Sequence, residues 1–276
     1  MNDMITPAGS TDTGAPFSSV LIIGVGLIGG SIAAALKARV GRATRVRGID
    51  IDPRAIEGAL SKGFLDEGAV VGAEDERVAA WLCDAETDLI ILAVPVSGAE
   101  EWFARIEASP YAGALTDVAS TKGVLTGLSE RILSCPTRYI PGHPMAGSEV
   151  NGIEGARATL FENAHWILCP DEQSDPRVFT RLHEFVTSLG ARSITLPRRE
   201  HDETIAVVSH VPHMVASALV QLAGTHARDK QEIFRLAAGG FKDTTRIAAG
   251  SPELWCGIAL DNREALARGL GEIRQV

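Results

Sequence analysis

Several stretches of this 276-residue sequence place reactive side chains where little bulk can cover them. In PGHPMAGSEVNG (141–152), His143 stands between a glycine and a proline, with Glu149 close behind among small, turn-forming residues. A regular helix cannot run through such a segment, so both side chains are expected at a loop or strand end. In DVASTKG (117–123), Ser120 and Lys122 follow a short apolar run, either near a reacting centre or as caps of the next helix. In SHVPH, His210 and His213 have the i,i+3 spacing of a metal pair on a helix. No third ligand lies at useful spacing and no HExxH occurs, so no metal is expected.

The glycines Gly24, Gly26 and Gly29 form GxGxxG directly after the apolar run VLII. The motif is weak alone, but here it sits between a predicted strand and helix, where a dinucleotide fingerprint belongs. Gly24 permits the tight turn, Gly26 a close approach of backbone to a pyrophosphate, and Gly29 close packing of helix on strand. Leu27 and Ile28 open the helix and present unpaired N–H groups to the phosphates. Asp50 ends the next strand, TRVRGID, where a carboxylate bonds the adenosine ribose and repels a 2′-phosphate. NAD is therefore expected over NADP, with Arg54 the residue able to soften that preference. Val94 and Pro95, in AVPV after another strand, would lie against a flat ring.

These residues need a scaffold on which strands alternate with helices. Strand candidates are VLII, TRVRGID, TDLIILAV, ALTDVA, RYIPG, HWILCP and RSITL; a helix is expected from about 176 to 189. The pattern predicts an α/β fold with an N-terminal Rossmann-type doubly wound parallel sheet. After Pro197 the strands stop, and a long helix begins at RREHDETIAVVSHVPHMV, followed by further helical segments. Ser251 reads as the N-cap of one of them, with Pro252 at its first position. The expected division is a disordered tail at 1–18, a nucleotide-binding domain at 19–197 and an all-helical domain at 198–276. Some 80 helical residues make little core alone, so a homodimer through that domain is expected.

A net charge of −9 leaves no basic face for nucleic acid. No apolar run reaches the roughly 20 residues of a membrane span. The N-terminus has neither the basic start nor the apolar core of a signal peptide. Four dispersed cysteines without CxxC spacing fit reduced thiols in the cytoplasm.

The segments GVGLIGGS, DVASTKG, GHPMAGSEVNG, LFENAHWIL, SHVPH and AAGGFKDTTRIAAGSPELW, in that order, resemble the prephenate/arogenate dehydrogenase family of tyrosine biosynthesis. The resemblance runs from about Val20 to Asn262. It implies oxidative decarboxylation of a cyclohexadienol with NAD(P) as hydride acceptor. It also implies that His143 accepts a hydrogen bond from the ring 4-hydroxyl, that Ser120 orients that hydroxyl, and that Glu149 gates the pocket. By the same resemblance Arg246 holds a substrate carboxylate, with Asp243 steadying it unless the two form an ordinary surface pair. Trp255, the backbone near Gly239, and His213 close on the substrate side chain, and a histidine at 213 fits prephenate better than arogenate. His165, His183, His201 and His226 are left as structural or surface residues. Two alternatives are a 3-hydroxyacid or imino-acid dehydrogenase of the same build, and a non-catalytic NAD-sensing protein.

Overall fold

A computed structural model describes residues 15–228 and 232–275. Six parallel strands form the main sheet in the order β3-β2-β1-β4-β5-β6. They are β1 (Ser19–Ile23), β2 (Arg45–Asp50), β3 (Glu67–Val70), β4 (Leu89–Leu92), β5 (Ala114–Asp117) and β6 (Tyr139–Ile140). β1 and β4 are buried throughout, as β-branched runs flanked on both sides must be. Their side chains alternate between two cores. Val20 and Ile22 face α1 (Leu27–Arg39) and α6 (Pro176–Ser188). Leu21 and Ile23 face α3 (Asp75–Leu82), α4 (Val96–Glu107) and α5 (Gly123–Ile132). α2 (Pro53–Ser61) connects β2 to β3. Because β2 and β4 flank β1, the strand order reverses between β1 and β4, where open α/β sheets bind ligands at their carboxyl edge.

Two expectations are revised. RYIPG does not stay in the parallel sheet: it divides into β6 and β7 (Gly142–Pro144). β7 pairs antiparallel with β8 (His165–Leu168), which pairs parallel with β9 (Arg192–Thr195), giving a separate three-stranded sheet. Pro141 has no N–H to continue the ladder. Gly142 then crosses the end of β5 so closely that a Cβ there would lie 2.7 Å from the Asp117 carbonyl oxygen. The second revision concerns the tail. Residues 1–14 lie outside the described residues, but Phe17 is 1% exposed and sits edge-on to Phe185. Thr44 donates to its carbonyl at 2.8 Å, and the Arg181 guanidinium lies over its ring. The order therefore begins before residue 19.

The helical part starts as one continuous helix: α7 (Arg198–Ile205), a π-turn at Ala206–His210, and α8 (Val211–Ala227). Pro212 explains the wide turn, since its ring would clash with a carbonyl one ordinary turn back. α9 (Glu232–Arg235), α10 (Gly239–Thr245), α11 (Pro252–Asp261) and α12 (Arg263–Ile273) follow. Ser251 caps α11 as expected, accepting from the Leu254 amide. Val207, Val208, Leu222, Leu236, Leu254 and Leu260 are 56–79% exposed, so this part presents much apolar surface. By length and mean hydropathy, the helix Arg198–Ala227 could cross a membrane, although no unbroken apolar run occurs in it. The apolar average comes from the stretch that follows its charged first turn, where valine and alanine outweigh the histidines; His201, His210 and His213 are buried.

Candidate active site

At the carboxyl edge of β1, Gly24 has φ +97°, and a Cβ there would lie 2.4 Å from the Ala93 carbonyl oxygen. This contact brings the glycine loop against the loop bearing Val94 and Pro95, with Pro95 capping α4. Gly29 is equally constrained, because a Cβ would fall 1.9 Å from the Gly24 carbonyl oxygen. Gly26 differs: no protein atom lies within 4 Å of a Cβ built on it. Nothing inside the chain demands glycine there, and Gly26 caps α1 without a side-chain bond, leaving the first-turn N–H groups of Leu27 and Ile28 available. That cradle fits a pyrophosphate. Asp50 accepts from the Val25 amide at 2.6 Å and the Asp52 amide at 2.9 Å, so the acidic strand end also holds the glycine loop. Each oxygen retains a lone pair for a ribose hydroxyl. Arg54 is turned to Asp52 at 3.2 Å, on the exposed side of α2.

His143 lies in β7, opposite Ile167 of β8, and is 6% exposed. Its Nδ1 is 2.8 Å from Nε2 of His201, and Nδ1 of His201 is 2.8 Å from Oδ1 of Asp202. Burial, then the Lys122 charge, then His201 and His210, hold the His143 imidazole well below its ordinary pKa. It is therefore a neutral ring at physiological pH. Lys122 is fully buried, caps α5, and donates to Asp117 at 2.5 Å and to the Gly142 carbonyl at 2.6 Å. Its role is to clamp β5 to β7 beside the histidine. Ser120 stands half-buried on the loop after β5.

The helical part supplies the opposite wall. His213 stacks on Trp255 with ring centroids 3.5 Å apart, and His210 meets the same indole edge-on at 6.1 Å. Burial pushes the His213 imidazole down and that of His210 down to about 4. Asn262 donates to the Asp202 carbonyl at 2.7 Å and lies 3.2 Å from Nδ1 of His210. Arg246 and Glu149 meet at the surface at 3.8 Å, 70% and 87% exposed. The expectation that Asp243 steadies Arg246 is not met. Asp243 lies over the first turn of its own helix, its Oδ2 4.0 Å from a Cβ built on Gly239, where a negative charge is favoured. Gly239 itself is exposed.

His201, Asp202 and Asn262 were missed by sequence reasoning. The run RREHDE reads as a solvated helix start, and no apolar periodicity marks His201 as buried. Among the described residues no cluster of three metal-ligating side chains occurs. The site thus combines an anion cradle at the β1/β4 reversal, a buried neutral imidazole on β7, and an exposed arginine. That set suits oxidation of a hydroxyl on an anionic substrate.

Family comparisons agree with this geometry. A model described as the prephenate dehydrogenase nucleotide-binding domain matches residues 32–195, and one described as the prephenate dehydrogenase dimerization domain matches 197–275. The chain belongs to the prephenate dehydrogenase family. It is 34% identical to the prephenate dehydrogenase of Bacillus subtilis (strain 168), over 94% of this chain and 68% of that one. It is 32% identical to the cyclohexadienyl dehydrogenase of Zymomonas mobilis, over 91% of this chain and 83% of that one. Among solved structures, prephenate dehydrogenase from Aquifex aeolicus in complex with hydroxyphenyl propionate and NAD+ superposes with a TM-score of 0.84 at 32% identity. That match covers 94% of this chain and 87% of the other. Membership of the prephenate dehydrogenase family sets aside both the hydroxyacid or imino-acid alternative and the NAD-sensing one.

Proposed function

We propose that this chain is an NAD-dependent oxidoreductase that decarboxylates prephenate to 4-hydroxyphenylpyruvate, arogenate to tyrosine, or both, within tyrosine biosynthesis. The observation that carries the reading is His143: a buried, neutral imidazole with Nδ1 engaged by His201, which leaves Nε2 for a substrate hydroxyl. Bound in the Gly24–Gly29 cradle, NAD supplies the acceptor for the hydride leaving the substrate's C4. His143 Nε2 takes the hydroxyl proton as the C4 oxygen becomes a carbonyl. The bond between C1 and the ring carboxylate then breaks, its electron pair aromatises the ring, and CO2 leaves. The pair ends on the C4 oxygen, which recovers the proton from His143. No net proton is released, so the base lends and retrieves one. Aromatisation supplies the driving force, and the side chains mainly orient ring and hydroxyl.

Ser120 orients the hydroxyl from the β5 loop. Arg246 takes a substrate carboxylate in a bidentate fork, and Glu149 competes for it at the entrance. His213, Trp255 and the backbone around Gly239 close over the side chain; a buried neutral imidazole at 213 suits the keto acid side chain of prephenate. Asp50 favours NAD over NADP, and Arg54 is tied to Asp52. The exposed apolar residues of the helical part pair with a second copy of the chain, consistent with the name of the family model for 197–275. The long helix Arg198–Ala227 is read as part of that helical core and interface rather than a membrane span, with the protein in the cytoplasm. The four cysteines are free. A crossed assay of prephenate and arogenate, each with NAD and NADP, tests the reading. Turnover with NAD and at least one substrate is expected; none with either cyclohexadiene would overturn it.

A further inference from the structure

We propose that Asp202 and His201 are positioning residues for the base: together they hold His143 in the tautomer whose Nε2 lone pair faces the substrate hydroxyl. The proposal rests on the reading of His143 given above and extends it to two residues given no part there in holding substrate or cofactor.

The argument starts at the carboxylate. Asp202, on α7, accepts from the amides of Lys122 and Gly123 at 2.9 Å each, at the N-terminus of α5. It also faces Nδ1 of His201. Burial opposes its ionisation, but the bonds from His201 and those two amides outweigh it and hold the carboxyl below its ordinary value. An ionised carboxylate only accepts, so Nδ1 of His201 must carry that ring's proton. A neutral imidazole has one proton, so with Nδ1 protonated Nε2 of His201 is a lone pair. Nδ1 of His143, 2.8 Å away, must then donate, and its own single proton is spent. Nε2 of His143 is left as an obligate acceptor, as a base for a hydroxyl has to be. With the opposite tautomer, His143 would present an N–H to the substrate and could take no proton. The same two groups stabilise positive charge on His143 while it holds the lent proton, which is the role of the third member of a hydrolase triad.

The chain of contacts predicts different results for different replacements. In Asp202→Asn, one amide oxygen cannot serve three N–H groups. The side chain either abandons the cap of α5 or turns its NH2 to His201, which moves the proton of His143 to Nε2. His201→Leu removes the acceptor without touching the cap. His201→Gln puts an amide oxygen where Nε2 stood and should keep the tautomer.

The decisive measurement is long-range 1H–15N spectroscopy of histidine-labelled, ligand-free full-length protein near pH 8, with His143 assigned from the His143→Asn spectrum. The expected result is a protonated Nδ1 and a bare Nε2 in the wild type and in His201→Gln. A mixture of tautomers is expected in His201→Leu, and a protonated Nε2 in Asp202→Asn. In parallel, His201→Leu and Asp202→Asn should lose kcat roughly 10²- to 10⁴-fold, with KM and NAD affinity within about twofold. His201→Gln should recover most of that loss. If Asp202→Asn fails to fold for want of the α5 cap, the His201 pair carries the test. A wild-type His143 protonated on Nε2, or a His201→Leu variant with wild-type tautomer and kcat, overturns the proposal. Should the tautomers come out as expected while neither cyclohexadiene is turned over, the substrate reading falls and the positioning of His143 stands.

Discussion

Lys122→Met removes a fully buried charge whose partner remains. Lys122 and Asp117 are 0% and 1% exposed, and Asp117 would keep only the Tyr139 hydroxyl at 2.6 Å and backbone amides. Breaking a buried pair from one side costs about 3–5 kcal/mol. At roughly 2–4 °C per kcal/mol for a domain of this size, the melting temperature should fall by about 10 °C. The clamp on the Gly142 carbonyl is lost as well, which leaves β7 tied to β5 by the long bond from the Gly142 amide to Asp117 at 3.4 Å. A second effect is separable. Burial is the main cause of the depressed His143 pKa and the Lys122 charge the next, so removing that charge lets the imidazole protonate more readily. The acid limb of kcat/KM lies below pH 6.5 in the wild type and should move up toward it in the variant. Calorimetry and a pH–rate series on the same preparation test both. In Lys122→Met/Asp117→Asn no buried charge is left unpaired, so most of the lost stability should return while the acid limb stays raised. An unchanged melting temperature in the single variant, or an acid limb that does not move, would refute the reasoning.

His143→Asn should lower kcat by roughly 10²- to 10⁴-fold, abolish the acid limb, and leave NAD affinity unchanged, as read by steady-state kinetics and fluorescence titration. Arg246→Ala should raise substrate KM by roughly 10- to 150-fold with NAD binding intact. Glu149→Gln, which breaks only an exposed pair worth about 0–1 kcal/mol, should leave the melting temperature unchanged and KM no higher than in the wild type. Asp50→Asn should narrow the preference for NAD over NADP in paired binding titrations, because the repulsive charge is gone. His210 ionises near 4 when folded and near 6.5 when unfolded, so the unfolded chain takes up its proton first as pH falls. It thus contributes about 3 kcal/mol of stability above pH 6.5 that fades as pH falls toward 4, and His210→Asn should melt with a shallower pH dependence across that window.

Local demands were legible in the sequence and distant ones were not. Gly24 and Gly29 could be read because a turn and a close helix–strand contact admit no side chain at either position. β1 and β4 were visible as continuous apolar runs, and the Ser251–Pro252 start of α11 as cap chemistry. β3 (EGAV) is too short and too weakly apolar to stand out. The second sheet was hidden because the antiparallel partner of Gly142–Pro144 enters the chain only at His165. The same separation hid the site's polar wiring: His143 meets His201 and Glu149 meets Arg246 only after the chain has folded back. Lys122 could be noticed, but its complete burial could not, since its neighbours in sequence are polar and small.

Asp202 belongs to the helical part, yet its carboxylate closes the amino end of α5 in the nucleotide-binding part. One side chain therefore spans the seam between the two matched family domains. Recombining either half with that of a relative must preserve this pair of surfaces, or the chimera will bind its cofactor beside a histidine with no fixed orientation. Any hinge motion that parts the halves would release the helix end and the imidazole in the same step.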